Sequence, residues 1–91
     1  MSTNTSWFVY ILRTSAGALY TGITTDVERR LSEHAGTRTG ARSLRGKGPL
    51  QLVWHLAVPD RSSASRLEAW LKRQPKAAKE RIVRGELAPQ L

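Results

Sequence analysis

The fold turns on one stretch, "FVYILRTSAGALYTGIT", Phe8 to Thr24. Trp7 to Arg13 is rich in aromatic and β-branched side chains, and Leu19 to Ile23 repeats that character, so each reads as a strand. Between them "TSAGA", Thr14 to Ala18, supplies turn chemistry, with Gly17 free to take a positive φ. The two strands read as an antiparallel hairpin. Both tyrosines of the chain, Tyr10 and Tyr20, lie in it. If Arg13 faces Leu19 across the five residues of the turn, Tyr10 lies opposite Gly22. Tyr20 is then its diagonal neighbour on the same face. A slip of one residue would put the two phenols on opposite faces.

Downstream, "TDVERRLSEH" (Thr25 to His34) reads as a helix. Thr25 and Glu28 fit a capping box. Val27 and Leu31 form its apolar stripe, and Arg30 and His34, one turn apart, stand beside that stripe. "AGTRTGARSLRGKGP" (Ala35 to Pro49) is a Gly-rich basic loop carrying Arg38, Arg42, Arg45 and Lys47 without an acid. "LQLVWHLAV" (Leu50 to Val58) alternates as a third strand, with Leu50, Leu52, Trp54, Leu56 and Val58 on one face. It is apolar enough on both sides to be central. "PD" breaks the chain, and Ser62 or Ser63 caps a helix running to about Arg73 whose apolar face is Ala64, Leu67, Trp70 and Leu71. Glu68 and Lys72, four apart, flank that face. Pro75 opens a last helix, Lys76 to Arg84, which Gly85 stops. The order β-β-α-β-α-α predicts an α+β domain, a three-stranded antiparallel sheet flanked by helices. The expected domain is 7–84, with flexible tails at 1–6 and 85–91.

At 91 residues the chain supports one core, and with no cysteine it lacks both disulfides and thiolate metal sites. "MSTNTS" carries no basic, apolar leader pattern, and no apolar run reaches membrane-span length. A cytoplasmic protein is expected. The excess of 15 Lys+Arg over 7 Asp+Glu, net +8, favours an anionic partner, foremost nucleic acid. Arg38, Arg42, Arg45, Lys47, Lys72, Arg73, Lys76 and Lys79 are the cations available for phosphate contacts.

No phosphate-binding Gly loop, HExxH or Ser/His/Asp spacing is present. Tyr10, Tyr20, Arg30, His34 and Glu68 remain as groups able to carry chemistry. Singly, each has an ordinary structural explanation: strand packing for the tyrosines, a helix ion pair for Arg30 or Glu68, complement to the helix dipole for His34. His55 reads as sheet packing. Together they suit metal-assisted phosphodiester hydrolysis. A carboxylate holds a hard cation, cation and arginine neutralise transition-state charge, and a phenol or imidazole handles the attacking water. An arginine beside the tyrosine that serves as base would favour its phenolate.

Phe8-Val9-Tyr10, Tyr20-Thr21-Gly22, Arg30 ten residues later, His34 and Glu68 resemble in order and spacing the GIY-YIG nucleases. "VYILR", "YTGITTDVERRLSEH" and "LEAWLK" are most similar to the small single-domain UPF0213, YhbQ-like branch. The resemblance covers roughly Trp7 to Val83. It implies a GIY-YIG-like fold and a divalent-metal-dependent endonuclease acting on DNA, in repair or processing, with one Mg²⁺ or Mn²⁺ ion. By the same resemblance Tyr10 would activate or orient water, Tyr20 would bond the phosphate or water, and Arg30 would bind phosphate. His34 would assist proton transfer, and Glu68 would ligate the metal. The sequence departs from the family pattern in Phe8, which replaces the first glycine, and in Ile23, where repair members carry lysine. The C-terminal half contains no asparagine to match that of some homing members, and no attached recognition domain is expected, which implies low sequence preference or a protein partner supplying specificity. The alternative is a basic nucleic-acid-binding module with weak or lost catalysis.

Overall fold

A computed structural model describes residues 6–36 and 50–89. The elements are β1 (Trp7–Arg13), β2 (Leu19–Thr24), α1 (Val27–Gly36), β3 (Gln51–Val58), α2 (Arg61–Lys72) and α3 (Lys76–Val83). The chain is thus α+β, with one antiparallel sheet in the order β2-β1-β3 and helices packed on it. No helix among the described residues is long and apolar enough to cross a membrane.

The β1–β2 hairpin has the register expected from its turn: Arg13 faces Leu19, Leu12 faces Tyr20 and Tyr10 faces Gly22. The turn closes on Thr14, whose amide donates to the Ala18 carbonyl (2.9 Å) and whose hydroxyl accepts from the Ala18 amide (3.2 Å). Gly17 takes φ +88°, which a side chain would disfavour.

The central strand is β1, not β3. Both faces of β1 are buried: Val9 and Ile11 on one, Tyr10 and Leu12 on the other. Among the described residues β3 pairs with β1 alone, and His55, Leu56 and Ala57 are exposed. Apolar alternation in β3 therefore marked a strand, while continuous burial, the mark of a middle position, belongs to β1.

The single apolar face expected for β3 is also divided. Ile11 faces Trp54 and Leu12 faces Leu52, so Val53 is an extra residue, a β-bulge. The bulge turns Leu50 and Leu52 toward Tyr10 and Leu12, while Trp54 and Val58 join the opposite core. That core is Val9, Val58, Ala64, Leu67, Leu71 and Ile82, the surfaces of α2 and α3 laid against the sheet. Each large aliphatic fully buried there contributes about 1.5–3 kcal/mol. All three tryptophans, Trp7, Trp54 and Trp70, pack against it, as does Leu87 beyond α3. The second cluster, Tyr10 and Leu12 with Tyr20, Leu31, Leu50 and Leu52, lies on the other face under α1.

The caps differ from those read in the sequence. Asp26, not Thr25, holds the start of α1, its Oδ1 accepting from the Arg29 amide at 3.0 Å. Asp60, not Ser62 or Ser63, caps α2, accepting from the Ser63 amide at 2.8 Å. In both places a carboxylate precedes the helix by one residue and reaches the third amide, which a serine or threonine elsewhere in the turn does not. Pro75 precedes α3, and Gly85 ends it at φ +78° with the Glu86 amide bonded to the Arg81 carbonyl.

Candidate active site

Strand alternation places Tyr10 and Tyr20 on one face, because Tyr10 faces Gly22 and Leu12 faces Tyr20. The Tyr10 ring crosses onto β2 and fills the space above Gly22. A Cβ on Gly22 would stand 2.5 Å from the phenol oxygen and 2.6 Å from Cζ. Only glycine leaves room for the ring here.

Arg30 reaches the same phenol from α1. Asp26 fixes the first turn of α1, and Leu31 seats the helix on the tyrosine-side cluster. Arg30, the preceding residue, then hydrogen-bonds the Tyr10 side chain. From the other side, α2 packs against β2 and β1 through Ala64, Leu67 and Leu71. Glu68, next to Leu67, thereby comes near enough for its charge to act on Tyr10. Four separated segments thus converge on one phenol.

The Tyr10 hydroxyl ionises above the ordinary value of 10.0. Burial is the main cause, since Tyr10 is 2% exposed and a buried phenolate loses hydration. The Arg30 hydrogen bond and charge pull the other way, and Tyr20 and Glu68 add to the rise. Arg30 thus acts in the direction expected of it, toward phenolate. Desolvation outweighs it, and the group here is a neutral phenol.

Glu68 pairs with Lys72 at 3.3 Å, one helical turn on, as the spacing indicated. Lys72 is itself well exposed, and Arg73 is exposed beyond it. Lys76 opens α3 and is exposed. It stands 4.0 Å from Glu80, whose carboxylate is held by Arg13 through two 2.7 Å hydrogen bonds from β1 to α3. The Arg13–Glu80 pair had no local signal, because its partners are 67 residues apart. His34 falls within α1, but its side chain lies outside the described residues, as do Arg38, Arg42, Arg45 and Lys47.

His55, read as sheet packing, is exposed instead, directly opposite Tyr10 on β3. It is exposed because β3 lies at the sheet edge. The signal that could have found it was its place on the strand face paired with Tyr10.

Residues 6–81 match the GIY-YIG catalytic domain. The chain belongs to the GIY-YIG family. Within it, this chain is 56% identical over 80 residues to a UPF0213 protein of Pectobacterium carotovorum, covering 88% of this chain and 80% of that one. It is also 56% identical over 77 residues to a UPF0213 protein of Aeromonas salmonicida, a match that spans 85% of this chain but 56% of the longer relative. Two solution structures share the fold. One is the UPF0213 protein of Bacillus halodurans, 41% identical with TM-score 0.58, covering 89% of this chain and 85% of that chain. The other is a protein from E. faecalis, 30% identical with TM-score 0.61, covering 93% and 90%. Membership in a nuclease superfamily makes nucleic acid the substrate class to expect of this GIY-YIG domain.

Proposed function

We propose that this protein is a divalent-metal-dependent endonuclease that hydrolyses phosphodiester bonds in DNA, carried by a single domain spanning 7–84. The observation that carries the reading is the meeting of Arg30, Tyr20 and Glu68 around the Tyr10 phenol.

In this reading Arg30 draws a non-bridging phosphate oxygen toward Tyr10 and offsets charge on the phosphorane-like transition state. Tyr10, neutral and held between Arg30 and Gly22, orients the attacking water by hydrogen bonding. Tyr20 bonds the phosphate or the water from the same face. His34, one turn beyond Arg30, assists proton transfer.

Among the described residues no group of three or more His, Cys, Asp or Glu is placed to enclose a cation. A Mg²⁺ or Mn²⁺ site need not be enclosed, since such ions keep most of their water and take one or two carboxylates plus substrate phosphate. Glu68 fits that description. Its carboxylate is partly exposed, and its neighbour Lys72 is an exposed surface cation. Glu68 would hold the ion, which when bound supplies charge neutralisation at the phosphate.

The test is cleavage of single-stranded, duplex and branched DNA with Mg²⁺ or Mn²⁺, against Glu68→Gln and Arg30→Ala. Cutting that needs metal and is lost in Glu68→Gln supports the reading. DNA retained without cutting, equally by parent and Glu68→Gln, would leave the basic binding module instead.

A further inference from the structure

Beside the tyrosines a cavity of about 370 Å³ opens between the start of α1 and β3. Its apolar walls are Phe8, Val27 and Leu52, and its polar groups are Thr25, Asp26, Glu28 and His55. Two of its lining residues neighbour Tyr10 on the sheet. Phe8 is the neighbour of Tyr10 on that face of β1, about 7 Å along the strand. His55 is the β3 residue directly opposite Tyr10.

The lining says what the cavity would accept. Among the described residues its lining includes two carboxylates and no lysine or arginine. A flat, neutral ring that carries an amino group is matched, whereas thymine and uracil offer one ring N–H between two carbonyls that the carboxylates would oppose. Phe8 offers an aromatic surface and Leu52 an apolar wall, the elements on which bases stack. Asp26 and Glu28 accept hydrogen bonds, as carboxylates do from the amino group of cytosine. Although Oδ1 of Asp26 accepts from the Arg29 amide, a carboxylate has further lone pairs to offer. His55 can donate or accept. The volume falls within the range of small-ligand sites.

We propose that this cavity receives the base of the nucleotide adjoining the phosphate at Tyr10 and Arg30, and selects bases bearing an exocyclic amino group. Cytosine, adenine and guanine enter in preference to thymine or uracil. The inference rests on the nucleic-acid reading of the neighbouring site. It gives the domain a base preference of its own.

The experiment is cleavage of a randomised single-stranded DNA pool with Mn²⁺, followed by sequencing of the cut ends. Thymine should be depleted about five-fold or more at one position next to the cut, the lower end of what one good base contact discriminates. At that position, replacing adenine by purine without its amino group should reproduce the loss. The double variant Asp26→Asn, Glu28→Gln should cut without the bias. Asparagine caps a helix as well as aspartate does, so α1 keeps its start. Cutting with no bias at either flanking position overturns the pocket and leaves the nuclease reading standing, as does a bias unchanged in the double variant. If the pool is neither cut nor retained by the immobilised protein, the site reading fails and the pocket falls with it.

Discussion

Tyr10 and Gly22 face each other across the first hairpin, and the phenol occupies the volume that any side chain at position 22 would need. The ring cannot simply swing away, because it is buried and hydrogen-bonded to Arg30. Gly22→Ala therefore forces the ring or the hairpin to shift. The expected cost is about 1–3 kcal/mol, typical of overpacking, read by denaturant unfolding. In a Tyr10→Ala background the same change should cost little. Equal penalties in both backgrounds would mean the contact is not responsible.

The direction of the Tyr10 shift sets a pH prediction. Its folded value lies above 10.0, chiefly through burial. The associated stability is fully present below 10.0 and is lost as pH rises through the folded value. In a Tyr20→Phe variant only Tyr10 remains to give a tyrosinate absorbance. Its midpoint should lie above 10.0 in the folded protein and fall on denaturation. A folded midpoint below that value would reinstate a phenolate base at the site.

On the acid side Glu80 is a reporter. Arg13 holds its carboxylate below the ordinary 4.5, with Lys76 and Arg84 adding smaller effects. Stability from this group is present above 4.5 and is lost as pH falls through the depressed folded value. Glu80→Gln should lower the melting temperature at pH 7 and flatten its decline in acid. An unchanged acid slope would show that the β1–α3 tie does not govern it.

Catalysis should separate from binding. Tyr10→Phe removes one hydroxyl from the proposed water site, and a drop of about 10²-fold or more in the single-turnover cleavage rate is expected. Arg30→Ala should slow cleavage by about 10²–10³-fold. DNA affinity should change far less in Tyr10→Phe than its rate. A rate within a few-fold of the parent would remove Tyr10 from the reaction.

Lys72 and Arg73, exposed at the C-terminal end of α2, should act on affinity. Replacing Lys72 and Arg73 by alanine should weaken DNA binding at every sequence tested. It should also reduce the slope of log affinity against log salt by about one for each phosphate these side chains neutralise. A slope that stays put would place the nucleic-acid path elsewhere on the surface.

Much of this arrangement was legible in the chain because it rests on local rules. A five-residue turn fixed the hairpin register, and the register fixed the common face of Tyr10 and Tyr20. Helix periodicity found Leu67 and Leu71, and the one-turn spacing of Glu68 and Lys72 predicted their pair. What stayed hidden depends on contacts distant in sequence. The strand order follows from how β1 and β3 meet, and the bulge at Val53 breaks a pattern that looks regular when read alone. Arg13 and Glu80 carry no mark of one another. The balance between burial and Arg30 at Tyr10 needed the packed ring, since either influence alone gives a different sign.

The sorting of aromatic rings by sheet face has an optical consequence. Trp7, Trp54 and Trp70 all belong to the side covered by α2 and α3, whereas both tyrosines belong to the side facing α1. The two layers therefore carry separate chromophores. Tryptophan emission follows the docking of α2 and α3, and tyrosine absorbance follows the face under α1. An event confined to the Tyr10 face would change one spectrum and leave the other still, so the protein comes with its own two-channel reporter and requires no attached dye.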